Sequence, residues 1–171
     1  MTQNEFLNLV LPLKNKVFRL SKRLLVSREE AEDATQEVFV KLWNKKQDLT
    51  KYNSIEALTM TLTKNYCLDR LKSKQALNLQ LVHSNYTSKE ASLDKKTEDR
   101  DHLRWVEKII SQLPETQKMV VQLREIEELE FEEIAKIMET TPENVRVILS
   151  RARKALREEI EKINSYGIAK H

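Results

Sequence analysis

Glycine is almost missing from this chain. One glycine in 171 residues leaves nearly no Asn-Gly or Asp-Gly turn of the kind that tight β-hairpins lean on. Three prolines leave long stretches free to continue as helix. The one cysteine, Cys67, excludes an intramolecular disulfide and suits a reducing compartment. It sits in a helical pattern, where a thiol is expected to be a small packed residue rather than a reactive one. His83, His102 and His171 are scattered without ligand-like spacing, so no metal or other cofactor is expected. No Gly-rich phosphate loop and no Ser-His-Asp or Cys-His arrangement can be read, and an enzyme is not expected. No apolar run is long enough to span a bilayer and no signal-peptide pattern opens the chain, which predicts a cytoplasmic protein without membrane insertion.

What remains is helix-forming. Leu, Glu, Lys, Gln, Arg and Ala dominate, and these are good helix formers. An all-α protein is predicted. Charged residues make up 33% of the chain but the net charge is only +3, so the distribution of charge is more informative than its sum. Two small helical domains joined by a linker are predicted: residues 1–74, a polar and poorly periodic linker at 75–98, and residues 99–171, the last a helix-turn-helix.

Residues 131–157 carry the strongest local signal. Ile134, Ala135 and Met138 make a short apolar stripe. Thr141 then suits an N-cap and Pro142 the first helical position. Beyond it Val145, Leu149, Ala152 and Leu156 recur at spacings of four, three and four, which places them on one helical face. Arg146, Arg151, Arg153, Lys154 and Arg157 lie off that face. A short helix, a tight turn and a basic helix fit the DNA major groove. An ordinary αα-hairpin with a solvated basic face has the same pattern.

The N-terminal part holds a second signal. In the first helical pattern Phe6, Leu9, Leu13, Val17, Leu20 and Leu24 share a face, and Pro12 must kink that helix or mark its start. Ser27 and Glu30 form a capping-box pair for a helix from about residue 28 to 46. On its wheel Ala31, Thr35, Val38 and Leu42 cluster as the core face. Asp33, Gln36, Glu37, Val40 and Trp43 fall on the other side, a mixture that a merely solvated face does not explain. Asp33, Gln36 and Glu37 suit a partner protein, whereas Trp43 is better placed packing under a neighbouring helix. A third helix, capped by Ser54 with Ile55, Leu58, Leu62 and Tyr66 inward, ends in a basic strip of Lys64, Arg70, Lys72 and Lys74 against Asp69. The strip follows a loop holding Tyr52 and Asn53. That combination suits single-stranded nucleic acid, with cations on the backbone and side chains holding an unstacked base. A basic helix end is also favoured by the helix dipole alone.

Three segments together resemble one family. AEDATQEVFVKLW (31–43) resembles the polymerase-binding helix of bacterial sigma factors of the extracytoplasmic-function (group IV) class, in the sigma-70 family. LTKNYCLDRLK (62–72) resembles that family's helix over the −10 promoter element. LPETQKMVVQLREIEELEFEEIAKIM (113–138) with NVRVILSRARKALR (144–157) resembles its −35-binding domain. The resemblance implies a promoter-specific initiation factor without catalytic activity. Asp33, Gln36 and Glu37, with Val40 nearby, would dock on core RNA polymerase. The 47–54 loop with Tyr52 and Asn53, and Lys64, Asn65, Asp69, Arg70 and Lys72, would hold the melted −10 strand. Thr141, Asn144, Arg146, Val147, Ser150, Arg151 and Lys154 would read duplex −35 DNA. The resemblance also implies an anti-sigma partner, often membrane-anchored; no heptad seam or obvious dimer helix can be read, and a monomeric free state is expected. Val147 and Ile148 depart from the family's polar or basic pattern. Val147 lies nearly opposite the core face and can touch a thymine methyl but cannot hydrogen-bond a base edge; Ile148 is expected to pack. The alternative is a helix-turn-helix regulator acting without polymerase. It leaves the 31–43 face and the 62–72 segment without a use.

Overall fold

Apolar spacing and, at several starts, side-chain caps set the helices. The computed structural model describes residues 1–81 and 98–168, and among them there is no β-strand. The first unit holds α1 (Gln3–Val10), α2 (Lys14–Leu25), α3 (Arg28–Asn44) and α4 (Ile55–Leu81). The second holds α5 (Glu98–Ser111), α6 (Glu115–Val121), α7 (Phe131–Ile137) and α8 (Pro142–Ile168). The predicted linker is thereby shortened: α4 runs seven residues past position 74, and residues 82–97 lie outside the described part.

Pro12 does mark a helix start. It sits in a 3₁₀ turn, Leu11–Leu13, between α1 and α2. That turn resets the helical phase, which corrects one expected core position. Leu9 is exposed and Val10 is buried in its place, beside Phe6. From Val17 onward Leu20 and Leu24 are buried as the spacing predicts, with Leu25 added. Ser27 caps α3 by accepting from the Glu30 amide at 3.4 Å. The return half of the expected capping box is absent because the Glu30 carboxylate pairs instead with Lys74 and Arg70 of α4. Ala31, Ala34, Thr35, Val38 and Leu42 are buried, and the Thr35 hydroxyl donates to the Ala31 carbonyl at 2.7 Å.

α4 is packed on two sides, against α2 and α3 and against α7. Its most buried line therefore falls between the residues the single-face pattern selects. Thr59, Met60, Thr63, Lys64 and Cys67 are buried, whereas Ile55, Leu58, Leu62 and Tyr66 are half-buried. Thr59 and Thr63 satisfy their hydroxyls on the carbonyls of Ile55 and Thr59, each at 2.7 Å, the local back-bonding open to buried threonine. The 47–53 loop is pinned by Leu49, which is fully buried within a 3₁₀ turn.

In the second unit Ile109, Ile110 and Leu113 are buried as expected. Leu103, at 68%, and Val106 are exposed instead, because α5 packs on α6 and α8 only near its end. α6 passes into a π-helical turn, Gln122–Ile126, which folds two polar residues, Gln122 and Glu127, into the interior.

The shortage of glycine leaves a mark on the backbone. Left-handed positions that usually go to glycine are filled here by Val26 (φ 67°), Glu128 (φ 58°) and Glu139 (φ 55°). Val26 closes α2 in this conformation, where a β-branched residue costs roughly 1–2 kcal/mol. Val26→Gly is expected to raise the urea midpoint, whereas Ala34→Gly, in the interior of α3, lowers it; a loss of stability in Val26→Gly would show the position to be unstrained.

Cys67 behaves as the sequence predicts. It is fully buried, and desolvation pushes its thiol from 9.0 to about 11. The folded pKa lies above the unfolded one, so the native state keeps its stability below pH 9 and loses it as pH rises from 9 to 11. The loss expected from this thiol is about 2–3 kcal/mol at the upper end. Denaturant midpoints across pH 8–11, compared with Cys67→Ala, measure it; identical slopes would show that the thiol does not contribute.

Candidate nucleic-acid and protein interfaces

The acid and amide face of α3 is free where its other face is locked. Asp33, Gln36 and Glu37 are exposed and Val40 is 52% exposed. Trp43 packs inside its own unit, its ring edge-on to Phe6 at 5.0 Å with the Lys46 ammonium 3.6 Å from its centroid. Glu30, Asp33, Gln36, Glu37, Tyr66 and Arg70 line a shallow cleft of about 250 Å³. The Tyr66 phenol is raised above its ordinary value by burial and by the Glu37 carboxylate, against the opposing effect of Arg70.

α4 divides its polar residues among three faces. Asn65, Asp69 and Lys72 recur at spacings of four and three and are exposed, so they share one face. Tyr66, Arg70 and Lys74 recur at four and four and turn toward α3. There the Arg70 Nε lies 3.7 Å from Glu30. Arg70 thus belongs to the acid cleft and not to the face of Asn65. Lys64 is on a third side. It is only 7% exposed and donates through Nζ to the Ile137 carbonyl at 2.6 Å, so it does not join Asn65, Asp69 and Lys72 in this arrangement. Tyr52 and Asn53 are exposed on the preceding loop.

The helix-turn-helix forms as its caps dictate. The Thr141 hydroxyl accepts from the Asn144 amide at 3.2 Å, and Pro142 begins α8. The Asn144 side chain donates to the Thr140 hydroxyl at 2.8 Å. Val145, Leu149 and Ala152 are buried, and Ile148 is half-buried against the core. Thr141, Asn144, Arg146, Ser150, Arg151 and Lys154 are exposed, as is Val147 at 44%.

Two participants at this end lay outside the predicted set. The guanidinium of Arg146 lies 4.8 Å from the Phe131 ring centroid, and that of Arg124 lies 4.4 Å from the same centroid. Arg124 is anchored by donating to the Leu129 carbonyl at 2.8 Å. Phe131 thus steadies the first arginine of the basic helix. Nothing in the apolar period singles out Arg124, because the π-helical turn takes it out of phase with both neighbouring helices. Among the described residues no group of His, Cys, Asp and Glu is arranged to hold a metal ion.

The comparisons with known proteins meet this geometry. The family model described as Sigma-70 region 2 matches residues 9–77, and that described as Sigma-70, region 4 matches residues 103–156. One covers the unit with the acid face and the α4 strip, and the other covers the helix-turn-helix. The RNA polymerase sigma-H factor of Pseudomonas aeruginosa is 28% identical over 158 residues, covering 86% of this chain and 82% of the relative. The ECF RNA polymerase sigma-E factor of Escherichia coli K12 is 28% identical over 169 residues, 93% of this chain and 88% of that one. SigW of Bacillus subtilis is 22% identical over 173 residues, covering 92% and 90%. Among solved structures, the fold is shared with the sigma factor RpoE of Bartonella quintana, crystallised with the anti-sigma factor NepR, at a TM-score of 0.77 and 20% identity over 92% of this chain and 97% of that one. CnrH, in complex with the cytosolic domain of CnrY, gives a TM-score of 0.70 at 17% identity, covering 94% and 90%.

A protein that pairs a region 2 unit with a region 4 unit is a sigma factor, which binds core RNA polymerase and directs promoter-specific initiation. This chain belongs to the sigma-70 family, in its extracytoplasmic-function class. A regulator acting without polymerase is not favoured, since it gives the region 2 unit nothing to do.

Proposed function

We propose a division of labour among the named faces. Asp33, Gln36, Glu37 and Val40 dock on core polymerase, joined by Tyr66 and Arg70 across the cleft. Asn65, Asp69 and Lys72, with Tyr52 and Asn53, hold the unpaired −10 strand. Thr141, Asn144, Arg146, Val147, Ser150, Arg151 and Lys154 meet the −35 duplex. The observation that carries this assignment is the exposed acid and amide face of α3. A DNA-only regulator has no need of it, yet it stands beside a fully packed core. The protein is not an enzyme and works in the cytoplasm as a monomer when free. No described helix is long and apolar enough to cross a membrane. The Bartonella RpoE structure, solved with the anti-sigma factor NepR, and the CnrH structure, solved with the cytosolic domain of CnrY, support an anti-sigma partner here.

Within the −35 helix, Arg146 stands where a base edge is read and Val147 beside it offers only a methyl-sized apolar contact. A bidentate arginine–guanine pair contributes about 1–3 kcal/mol of discrimination.

The double variant Asp33→Ala with Gln36→Ala is expected to lower affinity for core polymerase at least tenfold while circular dichroism stays native. Unchanged affinity in a pull-down or anisotropy titration would remove the docking assignment. Arg146→Ala is expected to reduce transcription from a cognate −35 element at least fivefold and to leave binding to unrelated duplex nearly unchanged. An equal loss on both DNAs would reassign Arg146 to phosphate contact, with a salt slope lower by about one.

A further inference from the structure

One exposed line of α8 does not suit a phosphate-binding surface. At about 100° per residue, Glu143, Val147 and Lys154 fall within about 40° of one another, opposite the buried Val145, Leu149 and Ala152. Glu143 and Val147 are both exposed. Four residues apart, they stand roughly 6 Å apart along the axis, and in the first two turns they point furthest from the core. Glu143 is the one acid in residues 142–157, against five arginines and lysines. Thr141 already supplies the cap of this helix, so Glu143 is not placed there to make one. An acid in a first turn is favoured by the helix dipole. That accounts for Glu143 in solution, but not on a face that meets a groove walled by phosphates.

Packing keeps the line clear. Ile148 turns back against the core. Arg146 is drawn to one flank, its guanidinium 4.8 Å from the Phe131 ring centroid. Val147 is left 44% exposed between them. The floor of the major groove offers few partners for such a pair. A carboxylate only accepts hydrogen bonds, so it is repelled by guanine N7 and O6 and by thymine O4. Adenine sets its N7 acceptor beside its amino group, whereas cytosine presents its N4 amino group alone. A valine pressed on any polar base edge leaves that edge unpaired, which costs binding. The thymine 5-methyl is the apolar group that the groove provides.

We propose that Glu143 and Val147 form a pyrimidine-reading line: Glu143 accepts from the N4 amino group of a cytosine, and Val147 packs on the 5-methyl of a thymine no more than two base pairs away. The spacing follows from the helix, since roughly 6 Å of rise spans about two base-pair steps at 3.4 Å per pair. Glu143 is thereby a specificity-determining residue, and Val147 gains a definite target. Phe131 contributes by holding Arg146 aside, so that no guanidinium lies over the valine. The inference rests on the −35 assignment of α8 made above.

The test uses holoenzyme assembled from the full chain and core polymerase, which selects active −35 elements from a promoter pool randomised in that region. Glu143→Gln is expected to exchange cytosine for adenine at one position, a shift in preference of at least fivefold, because glutamine pairs with adenine N6 and N7. The other positions are expected to stay as in the parent. In the element that the parent selects, thymine is then replaced by deoxyuridine, which removes the methyl and keeps the base pair. Parent holoenzyme is expected to bind the replaced promoter about fourfold more weakly, the effect of burying one methyl-sized group. Val147→Ala is expected to lose most of that difference, with helical content unchanged. Cytosine retained by Glu143→Gln overturns the line, as does a parent that tolerates deoxyuridine at every thymine. Arg146→Ala with Arg151→Ala then separates the two ideas. Loss of −35 selection in that variant keeps the −35 assignment and rejects only the pyrimidine line; selection of the parent element unchanged rejects the −35 assignment itself.

Discussion

A fully buried carboxylate must be paired, and in this protein the pairing partner comes from the other half of the chain. Taking an ion out of water costs several kcal/mol even after relaxation, and removing one partner of a buried pair is strongly destabilising. Glu127 meets that cost with Arg19 and Gln122. Gln122 is turned inward by the π-helical turn, and Glu127 follows directly from that turn. Satisfying this one group ties α2 to the second unit, beside the direct packing of α7 on α4. Arg19 feels the same pair, its guanidinium held further in its charged form by the bond to Glu127.

The junction joins ions and hydrogen bonds that water, phosphate or another protein can substitute to an apolar core that runs across both units. That suits a factor too small to do its work unaided. DNA stacking averages about 1.4 kcal/mol per step, so opening around ten pairs costs on the order of 10 kcal/mol or more. Holding an unstacked base returns about 1–3 kcal/mol. The few side chains on α4 can bias an opening that polymerase supplies, and cannot produce it. The proposed face for polymerase on α3 and the proposed face for DNA on α4 are therefore two halves of one requirement.

Much of this was legible from residue order. Thr141 and Pro142 announced the recognition helix through the chemistry of a helix start, and Ser27 and Ser54 announced two more. The buried line of α3 followed from period alone, and so did the exposure of Asp33, Gln36 and Glu37. Trp43 was rightly expected to pack. Leu9 is put out of phase by the 3₁₀ turn at Pro12. Leu103 and Val106 obey a helical period yet are exposed, because period states that a face is apolar and not how far a neighbour extends along it. Lys64 and Arg70 read as two members of one basic strip. Their separation by α7 on one side and Glu30 on the other requires knowing what packs against α4.

The sequence by itself determined the class of fold, the starts of several helices and the buried face of α3. Each depends on interactions within three or four residues, or on a period that one helix imposes. The tertiary structure alone decided which polar groups are free. Glu127, Gln122, Arg19 and Lys64 are ordinary surface residues by composition, and only contacts across separations of 73 to 108 residues bury Glu127, Gln122 and Lys64 and tie the exposed Arg19 to them. Burial and charge pairing are properties of what surrounds a residue, and no local pattern records them.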